Sequence, residues 1–303
     1  MLQLSFIWGS KNIKDKEGFC MANINDLLNL FSGEMEKKAL ADAYNFAVSK
    51  NRDMADGFFS AIYFFKMANP TIQLVYNSGI SSSYYLASSN TVYLKNPYDL
   101  FHEFTHLLSF NYSNGDVPDE YYTFKRAFLT DNHSTSLIIE LLKICKEIEL
   151  DEVLQNFIQA KEDGDINRYS LKSNSKTINR SSTKISSTVY KIEDIIDAIY
   201  SGKALDGGIM DIKDNNTNVE RAPKMTAGHG ESYYQNSEVR QFEEIMANYM
   251  DIKLTDPNNK LFSTLNTILG EEFVAFLDKR CNAICFNLLN HDYINNINNI
   301  NNI

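Results

Sequence analysis

An α+β fold, mostly helical and carrying one small mixed β-sheet, follows from how the apolar residues of this chain are spaced. Residues 22–67 repeat apolar side chains at three- and four-residue steps, residues 71–95 switch to alternating β-branched and aromatic residues, and helical spacing then resumes. With 303 residues, 44% hydrophobic and 12% aromatic, the chain has enough apolar surface for a proper core and is expected to fold largely without a partner.

In chain order, INDLLNLF, EMEKKALADAYNFAVSK and ADGFFSAIYFFKMA make an N-terminal helical region over residues 1–68, closed by Asn69-Pro70. TIQLVYNSG reads as a strand and SSYYLASSNTVYLK as a hairpin turning at Ser-Ser-Asn. Asn96-Pro97 ends the hairpin, and YDLFHEFTHLLSF returns to a helix with Asp99 near its start. EYYTFKRAFLTDNHSTSLIIELLKICKEI and DEVLQNFIQAKE then continue the helical pattern and are expected to pack behind the 102–110 helix. Residues 163–188, rich in Ser, Asn and Lys, read as an exposed insertion whose basic stretch from Arg168 to Lys191 is a solvated loop. VYKIEDIIDAIYSGK and EVRQFEEIMANYMDIK are helices separated by a polar stretch, and LFSTLNTIL and EEFVAFLDKRCNAICFNLL end the structured part. The main domain thus covers 69–290, and residues 291–303 form a low-complexity tail that includes His291 in its frayed start.

The net charge of −10 repels phosphate backbones, so a nucleic-acid partner is not expected. No run approaches the length and apolarity of a membrane span, and the N-terminus lacks a basic region and a cleavage site, which places the chain initially in a cytoplasm. Cys20, Cys145, Cys281 and Cys285 have no Cys-x-x-Cys spacing and read as reduced, partly buried side chains.

His102-Glu103-Phe104-Thr105-His106 fits His-Glu-x-x-His, and the four-residue step places both imidazoles one turn apart on one helix face. Two nitrogen donors can grip one ion, for which zinc is the expected metal, one per chain. Glu103, between them, is placed to take a proton from metal-activated water attacking a carbonyl. Leu100, Phe101, Phe104, Leu107 and Leu108 mark the helix as buried, where histidines and a glutamate without partners would be costly. The expected chemistry is peptide-bond hydrolysis on a protein or peptide substrate, with the strand around Thr91–Leu94 as an edge that pairs with the extended substrate. The competing expectations are a non-catalytic zinc-stabilised binding or assembly module and a hydrolase of another amide. Only catalysis needs Glu103, which is not a ligand.

A third ligand must come from elsewhere, because residues 107–112 read LLSFNY without the Gly and His of a metzincin. FEEIMANYM offers Glu243 and Glu244, and His229 is a further candidate. This helix resembles that of zincins with a glutamate third ligand, a group that includes the catalytic domain of anthrax lethal factor and many polymorphic-toxin and phage-associated metallopeptidase domains. Their ligand stands in a Glu-x-x-Ala-Asn/Glu pattern, which Glu244-Ile245-Met246-Ala247-Asn248 matches, so the resemblance implies Glu244. It also covers Asp194-Ile195-Ile196-Asp197-Ala198, Gly228-His229 and Tyr233-Tyr234, and it spans residues 71–110 and 190–252. Thr105 stands where such families often have Gly, and the stretch between His106 and Glu244 is longer than in compact members.

The resemblance implies a zincin fold, a toxin or effector that reaches another cell without a classical signal peptide, and a tyrosine near the glutamate helix that donates to the oxyanion. Tyr234, with Tyr233 as the alternative, and His229 are the candidates for that donation. His133 reads as a neighbour of a helix cap.

Overall fold

Asn23 starts the first helix by a reciprocal cap: its side chain accepts from the Asn25 N–H at 2.8 Å, and the Asp26 carboxylate accepts from the Asn23 N–H at 3.0 Å. The computed structural model describes residues 23–113, 115–130, 187–199, 201, 209–213, 219–223, 229, 231–234, 237–259 and 265–287. The tail 291–303, His133, His291, Cys20, Cys145 and all but the last two residues of the expected 163–188 insertion lie outside them.

Helices α1 (Ile24–Leu28), α2 (Glu34–Lys50) and α3 (Arg52–Ala68) follow the expected apolar spacing. Asn51 caps α3 by accepting from the Met54 N–H at 3.3 Å. The buried side of α3, through Phe58, Phe59, Ile62 and Phe65, belongs to the same continuous core as the rest of the described chain.

Three short strands follow: β1 (Gln73–Tyr76), β2 (Tyr84–Leu86) and β3 (Thr91–Leu94). Asn90 closes the turn into β3 at φ 48°, a left-handed conformation that asparagine tolerates better than most residues. The sheet order is β1-β3-β2, with β1 parallel and β2 antiparallel to β3. Thr91–Leu94 is therefore the central strand, and the free edge expected there lies instead on β2. The physical reason is visible in burial: Thr91, Val92 and Leu94 are buried, whereas Tyr84 and Leu86 remain exposed.

Helix α4 (Leu100–Ser113) follows β3, and α5 (Asp119–Thr130) follows α4. Helix α5 meets later helices, with Tyr121 contacting Phe242 and Phe124 stacking on Phe273; residues 131–162, the rest of the helical region expected behind α4, lie outside the described residues. Helix α6 (Ser187–Ile199) takes in the last two residues of the expected insertion, and Lys191 on it pairs with Asp251 at 2.8 Å. A two-stranded antiparallel ribbon, β4 (Ile209–Lys213) and β5 (Val219–Pro223), occupies a stretch whose polar composition concealed its strands.

The short α7 (Glu231–Tyr234) leads to α8 (Glu238–Thr255), capped by the Ser237 side chain on the Arg240 N–H. From Gln241 to Leu254 almost every residue of α8 is buried, as expected of a helix enclosed on all sides, and it packs most extensively on α6 and α4. Helices α9 (Leu265–Leu269) and α10 (Glu271–Asn282) and a π-helical turn over Ala283–Asn287 close the core. Cys281 and Cys285 are free and buried there, and burial pushes the Cys281 thiol up to about 12. The fold is α+β, mostly helical with a small mixed sheet. No described helix is long and apolar enough to cross a membrane.

Candidate functional site

On α4 the apolar residues Phe101, Phe104, Leu107 and Leu108 turn into the core, which leaves His102 and His106 on the face toward a cleft of about 600 Å³. Thr105, where a smaller residue was the family expectation, is fully buried and donates its hydroxyl to the Phe101 carbonyl at 2.6 Å. The two imidazoles present Nε2 atoms to each other at 3.0 Å. Helix α8 brings Glu244 to the same point: Oε2 lies 3.3 Å from His102 Nε2, and Oε1 lies 3.5 Å from His106 Nε2.

These separations match the roughly 3.3 Å edge between donors that share one tetrahedral ion at about 2.0–2.1 Å. Without an ion the arrangement is unfavourable, since one proton at most can lie between two facing ring nitrogens. Glu244 Oε2 is moreover buried, and among the described residues no group meets hydrogen-bond geometry with it. The three side chains form a group that could hold a metal ion. Glu243, the neighbouring candidate, points elsewhere and accepts from Ser109 Oγ at 3.1 Å; burial pushes its carboxyl up to about 8.

Burial opposes charge on every member of the cluster, and the neighbours decide the outcome. Desolvation lowers the His102 imidazole, but the adjacent Glu244, with Glu103 and Asp251, lifts it to about 10. His106, buried beside a charged His102, is held down at about 4 despite Glu244. Glu244 is opposed by burial, yet the imidazoles hold its carboxyl well below the usual range. In the metal-free chain, the histidine pair thus carries one proton opposite a carboxylate.

Glu103 stays outside the ligand triangle. It lines the cleft, is 7% exposed and takes a backbone N–H from Tyr85 on β2. Burial raises its carboxyl to about 7, with His102 pulling down and Glu244 and Asp99 pushing up. The rest of the cleft is framed by Ser82–Tyr85 on the β2 side and by Phe110, Val239 and Arg240 opposite.

The tyrosine pair divides. Tyr233 lines the cleft and donates its hydroxyl to Glu244 Oε1 at 2.7 Å, and burial and that carboxylate push the phenol well above its ordinary value. Tyr234, the expected oxyanion donor, is fully buried with its hydroxyl 3.4 Å from Asp194 Oδ1, away from the cleft. Successive helix residues point about 100° apart, so only one of the pair can face the site. His229 lines the cleft, stacks on Tyr233 with ring centroids 4.2 Å apart, and sets Nδ1 3.2 Å from Asp194 and 4.0 Å from Glu244. It lies beside the triangle, whose third corner is Glu244.

Comparison of the chain with protein-family models, curated proteins and solved structures returned no match in any of the three. The site therefore rests on its own geometry. Two residues of it stand in the quoted sequence patterns but were given no role there. Asp194 and Asn248 are buried, and Asn248 Nδ2 donates to Asp194 Oδ2 at 2.8 Å and to the Glu244 carbonyl at 3.0 Å. The signal for Asp194 was available as an acidic residue on the apolar face of IEDIIDAI.

Proposed function

We propose that the chain is a zincin-type, zinc-dependent peptidase in which His102, His106 and Glu244 hold the ion and Glu103 acts as general base. The single observation that carries this reading is the convergence of three donor side chains, 3.0–3.5 Å apart, beside a buried carboxylate that is not one of them. Zinc held by three protein ligands supplies Lewis acidity toward a carbonyl and toward water.

The chain's own residues supply the rest. Glu103 accepts a proton from the water whose oxygen adds to the scissile carbonyl carbon, and the same proton reaches the departing amine as the C–N bond breaks. The Tyr233 hydroxyl, on the cleft wall beside Glu244, is the donor nearest the developing oxyanion, and the His229 ring stacks beside it. The free edge of β2, whose residues line the cleft, offers backbone pairing to an extended chain and so orients the carbonyl.

The alternative, a zinc-stabilised module without catalysis, accounts poorly for Glu103, since a purely structural site gains nothing from a desolvated carboxylate outside the ligand set. An action inside another cell, as a toxin or effector, belongs to this proposal only through the sequence resemblance. The test is metal analysis together with incubation of the zinc-loaded protein with a denatured protein mixture, reading new N-termini. New termini with wild type and none with Glu103→Gln at equal zinc content are expected. Identical profiles for the two proteins would sink the peptidase reading.

A further inference from the structure

Asp194 has no part in the reaction as described, yet it is a buried carboxylate with three polar side-chain partners beside the site. It is 1% exposed. Its Oδ2 accepts from Asn248 at 2.8 Å, and its Oδ1 faces His229 Nδ1 at 3.2 Å and the Tyr234 hydroxyl at 3.4 Å. These three partners come from α8, from the segment before α7 and from α7, so one side chain on α6 ties together every element that reaches the cleft from this side.

A carboxylate buried to this degree carries a large desolvation cost, and hydrogen bonds from an amide, a phenol and an imidazole offset it. The bond to His229 also decides which way the imidazole works. With Asp194 accepting at Nδ1, the proton sits on Nδ1, which leaves Nε2 as the free ring nitrogen of a residue that lines the cleft. The stack on Tyr233 fixes the plane of the same ring. Asn248 extends the network to the ligand helix, because its amide bonds both Asp194 and the Glu244 carbonyl.

We infer that Asp194 is a positioning residue that fixes the tautomer and orientation of His229, so that His229 Nε2 serves a substrate group in the cleft. The catalytic half of this inference rests on the peptidase reading, whereas the positioning half does not. Carboxylates that orient a histidine from behind commonly matter by roughly 10- to 100-fold in activity.

The test has two independent arms. Long-range nitrogen–proton NMR of zinc-loaded, nitrogen-15-labelled full chain reads which ring nitrogen of His229 bears the proton, the resonance being assigned by its loss in His229→Gln. An Nδ1 proton in wild type, lost or exchanged for the Nε2–H tautomer in Asp194→Asn, is expected. An Nε2–H tautomer in wild type, a measurement that needs no variant to fold, overturns the inference, as does a tautomer unchanged in a folded Asp194→Asn.

The second arm measures hydrolysis of a peptide drawn from the new-termini experiment. Asp194→Asn is expected to lower kcat about 10- to 100-fold with KM and zinc content little changed. The Asp194→Asn/His229→Gln double variant should lose no more than His229→Gln alone. Additive losses overturn the positioning role. If wild type hydrolyses nothing while the Nδ1 proton is present and depends on Asp194, the peptidase reading fails and the positioning stands.

Discussion

Replacing Glu103 with glutamine separates a catalytic carboxylate from a structural one, because the two roles predict stability changes of opposite sign. Glu103 is 7% exposed, and burial is the largest reason its carboxyl moves from 4.5 to about 7 in the metal-free chain. A carboxyl whose folded value is raised binds its proton more tightly folded than unfolded, so it takes stability away as pH rises from 4.5 to 7 and the loss is complete above that. A displacement of this size corresponds to about 3 kcal/mol. Glutamine cannot ionise and keeps an acceptor for the Tyr85 N–H. Metal-free Glu103→Gln should therefore match wild type near pH 4.5 and exceed it by up to about 3 kcal/mol at pH 8, measured by urea unfolding at both values. The same variant, loaded with zinc, should lose roughly 10²- to 10⁴-fold in hydrolysis. A variant that is no more stable than wild type at pH 8, or one that keeps more than about a tenth of the activity with full zinc, would refute the assignment.

Metal analysis should find one zinc per chain, lost in His106→Ala and strongly weakened in Glu244→Ala, whereas Glu243→Ala should keep it; full occupancy in Glu244→Ala would move the third ligand elsewhere. Because the metal-free histidine pair holds a proton, with His102 lifted to about 10, zinc should displace about one proton at pH 7 and bind more tightly as pH rises, seen by calorimetry in buffers of different ionisation enthalpy. Tyr233→Phe should lower kcat roughly 10²- to 10³-fold, while Tyr234→Phe should spare kcat and cost about 1 kcal/mol of stability; a kcat loss in Tyr234→Phe alone would return the oxyanion role to Tyr234.

The two histidines and Glu103 could be read from the sequence because a single helix holds them, and the helical repeat converts their spacing directly into geometry. The coarse fold was legible for the same reason, through local apolar period. What depends on contacts between distant segments was not. Glu243 and Glu244 are adjacent in sequence and differ only in which side of α8 meets α4, as the Ser109 and histidine contacts show. Tyr233 and Tyr234 divide in the same way. The edge strand was misplaced because β1 skips β2, the next strand along the chain, and pairs directly with β3, a parallel contact that no local signal announces. Asp194 lies on α6 and bonds residues of α7 and α8, so its role exists only once these segments meet.

The charge balance of the interior shows why this cluster differs from ordinary buried polar groups. Asp251 meets Lys191 at 2.8 Å, and Glu243 has Ser109 and the nearby Arg280 charge to moderate it. Glu103, Asp194 and Glu244 have no Lys or Arg pair among the described residues and face imidazoles instead. His106 is a poor counter-ion here, since burial lowers it to about 4, and His102 keeps its proton through the surrounding carboxylates Glu244, Glu103 and Asp251. A divalent cation between His102, His106 and Glu244 would neutralise Glu244 and use both ring lone pairs at once. It would also draw Glu103 toward its ionised, basic form. Zinc bound to the folded chain alone would add stability by mass action, about 2.7 kcal/mol at a free concentration one hundred times Kd.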